Sequence, residues 1–168
     1  MLDHSHCERK AASIAIKLMF LYPSDVALVE ALTEIAQEEL SHFKQVNQWL
    51  ARRGVALHCL AAGPYGSKLR KHVRPNDPER KLDLLLVSAL IEARSHERLG
   101  LLGQHCPDPD LAKFYRSLMV SEARHYGAYW VLATNEFGTE VVTPRLEALA
   151  TAESEILSTL HPAPRVHS

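Results

Sequence analysis

Apolar side chains recur at three- and four-residue intervals along most of this chain, which is the spacing of one face of an α-helix. No stretch alternates apolar and polar residues as a half-buried strand does. Four helices with inward apolar stripes pack most economically as an antiparallel bundle, so the predicted fold class is all-α. The predicted long helices run over about Asp3 to Leu21, Asp25 to Arg53, Asp77 to Leu102 and Asp108 to Asn135.

Proline and glycine mark the breaks between these helices. Pro23 ends the first helix, and Gly54 is a natural residue to follow the second. Residues 54 to 77 are predicted to be a crossover loop, with a short helix possible from Lys68 to His72. A second break from Gly138 to Thr143 leads into an extra C-terminal helix that starts at Thr143-Pro144. We expect the whole chain, residues 1–168, to form a single domain.

Charged and imidazole side chains interrupt the apolar stripes at matching places in the two halves of the chain. Each half has one inward Glu and then an E-x-x-H pair, separated by 31 residues in the first half and by 30 in the second. A lone carboxylate in a buried stripe is costly unless it is paired or binds a metal. The six positions are Glu8, Glu39, His42, Glu92, Glu122 and His125.

This repeated pattern predicts a site for two metal ions. Glu and His three residues apart reach the same side of a helix at heights about 4.5 Å apart. Four carboxylates neutralise two divalent cations, and mixed nitrogen and oxygen ligands suit iron or manganese. A single E-x-x-H usually marks a solvated helix turn, and Glu92 alone could pair with Arg94. The matched spacing favours the metal site, and no catalytic residue beyond the ligands is predicted.

Other polar residues near these positions are candidates for orienting the ligands. His96 lies one turn after Glu92 and is a possible ligand, although a hydrogen-bonding role is favoured. Tyr126 follows His125 directly. Further candidates are His4, Arg94 and Arg124.

Composition limits the alternatives. The net charge is −1, so the overall charge argues for neither a nucleic acid nor a membrane as the partner. The three cysteines are widely spaced, which fits a reducing cytoplasm better than a disulfide framework. No apolar run approaches the ~20 residues that span a bilayer, so we expect no membrane association.

A basic region between Arg52 and Lys81 departs from this balance, with eight basic residues against two acidic ones. It is either a solvated loop or a surface that contacts the phosphates of a nucleic acid. The candidate contacts to tRNA are Arg52, Arg53, Lys68, Arg70, Lys71 and Arg74.

Four blocks of sequence and the C-terminus together resemble the MiaE-type tRNA hydroxylases. The blocks are His6 to Ala12, Glu38 to Phe43, Glu92 to Arg98 and Ser121 to Tyr126, with Arg165 to Ser168 at the end. The resemblance implies a ferritin-like fold with a non-haem di-iron centre, held by the same six residues that the spacing selected. It also implies that O2 is the co-substrate for hydroxylating the isopentenyl group of 2-methylthio-N6-isopentenyladenosine, next to the tRNA anticodon.

Two electrons per turnover would come from a separate reductase, since the sequence has no flavin or nicotinamide motif. Two other activities share the ligand pattern: a ferritin-like iron oxidase or storage protein, and a di-iron hydroxylase of a quinone-like lipid. A non-enzymatic helical scaffold would leave the six inward polar residues unexplained. We expect a monomer or a dimer, which would argue against iron storage, because a storage protein needs a cage.

Overall fold

The computed structural model describes residues 1–159 and 161–167, and all regular structure within them is helical. The chain divides into two compact units, Met1–Ala62 and Gly63–Ser168. The prediction of one domain over the whole chain stays a prediction. The helices are α1 (Leu2–Leu21), α2 (Val26–Arg52), α3 (Tyr65–Arg70), α4 (Glu79–His105), α5 (Pro109–Phe137) and α6 (Thr139–Leu157).

In the first unit, α1 packs against α2. Ala12 and Ala15 of α1 are almost fully buried, and such small side chains allow a second helix to approach closely. Asp25 caps α2 as expected, because its carboxylate accepts a hydrogen bond from the Leu28 N–H at 3.0 Å. Gly54 has a φ of 68°, a left-handed conformation that lets the chain leave the helix. The sequence therefore predicts both ends of α2 correctly.

In the second unit, α4 packs against α5, and α6 contacts α3, α4 and α5. The Asp108 carboxylate caps α5 by accepting hydrogen bonds from the N–H groups of Asp110 and Leu111, both at 3.0 Å. Gly138 has a φ of 79° and joins α5 directly to α6.

The predicted starts of α3 and α6 in the second unit are wrong. The helix predicted at Lys68 to His72 is α3, which begins three residues earlier because the buried side chains of Tyr65 and Leu69 anchor it. The break at Gly138 to Thr143 reduces to Gly138, and Pro144 lies inside α6. Pro144 costs the helix one backbone hydrogen bond. Val142 is fully buried, and this burial favours a helix that has already begun before Pro144.

Both ends of α4 also differ from the predicted helix, which ran from about Asp77 to Leu102. The sequence predicts Asn76 or Asp77 as the cap of this helix, but the N-cap residue is Pro78, which makes no side-chain hydrogen bond. The Asp77 carboxylate instead accepts hydrogen bonds from the Arg80 guanidinium, at 2.6 and 3.2 Å. The helix also continues to His105, past the break expected at Gly103.

Asp83 of α4 joins three segments of the second unit. Its fully buried carboxylate accepts hydrogen bonds from the Arg74 guanidinium at 2.8 and 2.9 Å, and from the Arg145 guanidinium of α6 at the same two distances. Burial acts to raise the pKa of Asp83, but the hydrogen bonds from Arg74 and Arg145 outweigh it and lower the pKa to about 2. The loop before α4 is therefore tied to both helices.

Replacing Asp83 by Asn should lower the free energy of unfolding at pH 7 by about 1–3 kcal/mol, because the guanidiniums lose their charged acceptor. The folded-state pKa is depressed, so this stability is present above the unfolded pKa of about 3.9 and is lost as the pH falls toward 2. Urea unfolding should show the two proteins converging over that interval. Asp77→Asn removes an exposed pair and should change stability little. Equal effects of the two changes would contradict this account.

Candidate metal centre

The first unit brings three of the predicted ligands together. Glu8 lies on α1, and Glu39 and His42 lie on α2; each offers one ligand atom within 4.8 Å of the others. All three side chains are buried, with exposed fractions of 4%, 1% and 6%. The His42 Nδ1 atom lies 3.7 Å from Glu8 Oε2 and 4.0 Å from Glu39 Oε2. These three residues are called the first triad.

His4 supports this triad from one turn before Glu8. Its imidazole is buried, and its Nε2 atom is in close contact with the Glu8 carboxylate. Burial acts to raise the pKa of Glu8, but hydrogen bonds with His4 and His42 outweigh it, so the pKa lies below its ordinary value. Glu8 is therefore ionised, which is the state that a metal ion requires of a carboxylate. The role of His4 in orienting a metal ligand stays a prediction, and its contact with Glu8 supports it.

A second histidine of α1 has a structural role that sequence reasoning missed. The Arg9 guanidinium donates a hydrogen bond to His6 Nδ1 at 2.9 Å, and a guanidinium has no acceptor. The proton of His6 is therefore on Nε2, which donates to the carbonyl of His58 at 2.8 Å. This contact fixes the loop after α2 against α1, close to Glu8. The partners are 52 residues apart in sequence, so no local pattern indicates them.

The second unit repeats the arrangement. Glu92 lies on α4, and Glu122 and His125 lie on α5; their ligand atoms are within 4.8 Å of one another. The exposed fractions are 4%, 2% and 2%. The His125 Nδ1 atom lies 3.7 Å from Glu92 Oε2, as His42 does from Glu8. These residues are called the second triad. Like the first triad, it consists of two glutamates and one histidine.

The remaining candidates near the second triad behave differently. His96 and Tyr126 are half-buried. Their assignment as orienting groups stays a prediction. The Arg94 guanidinium donates to the buried carboxylate of Glu153, at 3.2 and 3.3 Å, so its partner is not Glu92.

The basic residues selected from the sequence fall into distinct environments. In the first unit, the guanidiniums of Arg52 and Arg53 each lie 5.1 Å from the ring centre of Trp49, an arrangement in which cation and ring attract. In the second unit, Arg70 and Lys71 are exposed at the end of α3. The charge of Arg74 is offset by Asp83. Lys68 is half-buried.

Membrane-spanning helices and the state of the cysteines are two further features of the structure. In the part of the chain that is described, no helix has the length and apolar character needed to cross a bilayer. Cys7, Cys59 and Cys106 are free cysteines, and Cys59 is exposed.

A protein family and individual known proteins are similar to this chain. The family model described as tRNA-(MS[2]IO[6]A)-hydroxylase (MiaE) matches residues 1–168. A Pseudomonas putida protein described as tRNA 2-(methylsulfanyl)-N(6)-isopentenyladenosine(37) hydroxylase is 42% identical over 169 residues, covering 100% of this chain and 82% of the relative. A Salmonella typhimurium protein with the same description is 34% identical over 141 residues, covering 84% of this chain and 52% of the relative.

A solved structure is also similar. It is described as Protein 43 with aldehyde deformylating oxygenase activity, from Synechococcus. It is 47% identical with a TM-score of 0.96, and the match covers 99% of this chain and 85% of the other. The predicted all-α, ferritin-like fold class is thereby confirmed.

Replacing Glu122 by Gln should weaken binding of ferrous iron by roughly tenfold or more, because an anionic ligand of the second triad becomes neutral. The metal-free variant should unfold at the same urea concentration as the metal-free parent or a higher one, since a buried carboxylate near Glu92 is removed. Iron content and urea unfolding measure the two effects. Glu155→Gln, an exposed change on α6, is the control. Unchanged iron content in Glu122→Gln would remove Glu122 from the site.

Proposed function

Because the chain belongs to the MiaE family, we propose that it is a di-iron monooxygenase acting on tRNA. Its substrate group is the isopentenyl side chain of 2-methylthio-N6-isopentenyladenosine next to the anticodon, and the reaction adds a hydroxyl group. The descriptions of the Pseudomonas and Salmonella relatives support this substrate. The observation that carries the chemistry is the repeated triad of two buried carboxylates and one imidazole.

We propose that the two triads together hold two iron ions. The donor set fits: four ionised carboxylates balance two divalent cations, and two imidazoles complete a mixed nitrogen and oxygen shell. The ligands are Glu8, Glu39 and His42 from the first triad and Glu92, Glu122 and His125 from the second. A pair of iron ions supplies reductive activation of O2 and insertion of one oxygen atom into a C–H bond.

The protein's own side chains prepare this chemistry. His4 keeps Glu8 ionised, and the contact from His6 to the carbonyl of His58 keeps α1 in place beside it. Burial of both triads limits the access of water, which protects an oxidising centre from side reactions. Two electrons must come from a separate reductase, because the sequence has no flavin or nicotinamide motif. Such an enzyme would work in the cytoplasm, as a monomer or a dimer.

We further propose that exposed basic side chains contact the tRNA backbone. Arg70 and Lys71 at the end of α3 are exposed cations, as are Arg52 and Arg53 at the end of α2. Arg74 contributes less to this contact, since its guanidinium is bound to the buried carboxylate of Asp83. Lysine and arginine bind phosphates without reading sequence, so the modified base must supply the specificity.

A second candidate activity comes from the solved structure, whose description names an aldehyde deformylating oxygenase. The identity of 47% gives that possibility weight. The family model and two relatives described as tRNA hydroxylases favour the tRNA substrate. Formate release from an aldehyde is the measurement that separates the two.

Iron-loaded protein with a reductant and isotopically labelled dioxygen should add one labelled oxygen atom to tRNA that bears the isopentenyl group. Mass analysis of the released nucleosides detects it. Glu122→Gln should abolish the product, and Glu155→Gln should retain it. Release of formate from an aldehyde without oxygen in the nucleoside would replace the proposed activity by the second candidate.

Arg70→Gln and Lys71→Gln should each weaken binding of an anticodon stem–loop RNA, and each should lower the slope of log affinity against log salt by about one. Arg74→Gln should act mainly on the free energy of unfolding, because it breaks the contacts to Asp83. Anisotropy titrations at several salt concentrations and urea unfolding distinguish the two classes. An Arg74 variant with normal stability and the weakest RNA binding would reverse the assignment.

A further inference from the structure

A buried carboxylate of α6 holds the turn of α4 that follows the proposed ligand Glu92. Glu153 is 3% exposed, and its two carboxylate oxygens accept hydrogen bonds from the Arg94 guanidinium at 3.2 and 3.3 Å. Arg94 comes two residues after Glu92 on the same helix. Glu153 belongs to neither triad, so the proposed ligand set leaves its role open.

The same carboxylate also holds α3. The Tyr65 hydroxyl donates a hydrogen bond to Glu153 Oε1 at 2.7 Å. Burial and the neighbouring Glu153 carboxylate raise the pKa of Tyr65, so its hydroxyl keeps the proton that it donates. Glu153 therefore joins α3, α4 and α6 through one buried acid.

The C-terminal segment contacts the same turn of α4. The His167 Nε2 atom lies 3.0 Å from the hydroxyl oxygen of Ser95, which comes three residues after Glu92. The His167 imidazole stacks on the Tyr65 ring, with ring centres 5.0 Å apart and planes 23° apart. The connected contacts are called the α4 network, and its members are Tyr65, Arg94, Ser95, Glu153 and His167.

The α4 network is placed to set the orientation of Glu92. Successive residues of a helix are turned by about 100°, so Arg94 projects from the side of α4 roughly opposite to Glu92. Rotation or sliding of α4 would move the Glu92 carboxylate relative to Glu122 and His125, which lie on α5. A functional site tolerates displacements of only about 0.5 Å or 10–20°. Contacts that fix this turn of α4 therefore bear on the geometry of the second triad.

We propose that Glu153, acting through Arg94, is a positioning residue for the metal ligand Glu92. The inference rests on the proposed function, because it takes the second triad to bind iron, and it adds a residue outside the triads that sets their geometry. Glu153 is not itself a ligand, and its effect on the centre passes through α4. His167 acts on the same turn through Ser95.

Anaerobic titration with Co(II) tests the proposal without the RNA substrate, since the visible absorption of bound cobalt depends on the number and geometry of its ligands. Glu153→Gln keeps the shape of the side chain but removes the charge that holds Arg94. It should weaken Co(II) binding by roughly tenfold, the lower end of what loss of an orienting group costs, and it should shift the absorption band. His167→Phe keeps a ring against Tyr65 and loses the contact with Ser95, so a smaller shift is expected.

Asp83→Asn is the matched control, because it also removes a buried acid of the second unit that two arginines satisfy. Asp83 lies nine residues before Glu92, roughly 13 Å along α4. The control should lower the free energy of unfolding and leave the Co(II) affinity and absorption of the folded protein unchanged. A role of Glu153 in stability alone would give the same result as this control.

Arg94→Lys is the conservative variant and keeps the fold if Glu153→Gln does not. Lysine keeps the positive charge but cannot hold both carboxylate oxygens in a fixed geometry, so the absorption band should still shift. Combining Arg94→Lys with Glu153→Gln should weaken Co(II) binding no further than Glu153→Gln alone, because both changes break one contact.

Parent-like Co(II) affinity and absorption in Glu153→Gln and Arg94→Lys would overturn the positioning role. Glu122→Gln, which removes a proposed ligand, distinguishes that failure from failure of the metal centre. Weaker Co(II) binding by Glu122→Gln would leave the proposed centre standing, whereas parent-like binding by all three variants would overturn the centre and the positioning role together.

Discussion

Burial of four ionisable carboxylates is the constraint on which this structure depends. Glu8, Glu39, Glu92 and Glu122 are each less than 5% exposed, within helices otherwise buried through leucine and alanine. Negative charges in such an interior oppose folding unless cations or hydrogen bonds offset them. The side chains that make the centre useful are thus the ones that favour the folded state least. A bound metal ion, as proposed, would reconcile the two demands, because its binding energy would be available only to the folded chain.

The surrounding polar contacts hold the helices that carry these carboxylates. In the first unit, the Ser5 hydroxyl donates to the Asn47 side chain at 2.6 Å, and His6 bonds to the loop after α2. In the second unit, Asp83 and Glu153 are buried acids, and arginine satisfies each of them. Both acids have arginine partners within the second unit, and each triad brings two carboxylates together with one imidazole.

Basic residues near α3 show why charge along a sequence does not define a surface. Lys68 and Arg74 belong to the same basic region of the sequence. The Lys68 side chain is half-buried, and the Arg74 guanidinium is bound to a buried aspartate. Net charge sets the long-range attraction for a polyanion. Which cations are available to a phosphate depends on their partners in the folded chain.

Much of the fold and of the candidate site was determined by local physics that a sequence displays. Helical periodicity predicted the long helices, and Asp25 and Asp108 marked the starts of two of them. The patterns Glu39-x-x-His42 and Glu122-x-x-His125 predicted which side chains come together as proposed ligands, because residues three apart share a helix face whatever surrounds them. Only the tertiary structure decided the start of α3, the inclusion of Pro144 in α6, the tether from His6 to His58 and the stacking of His167 on Tyr65. Each depends on burial or on partners far apart in the chain, and these exist only once the helices have packed.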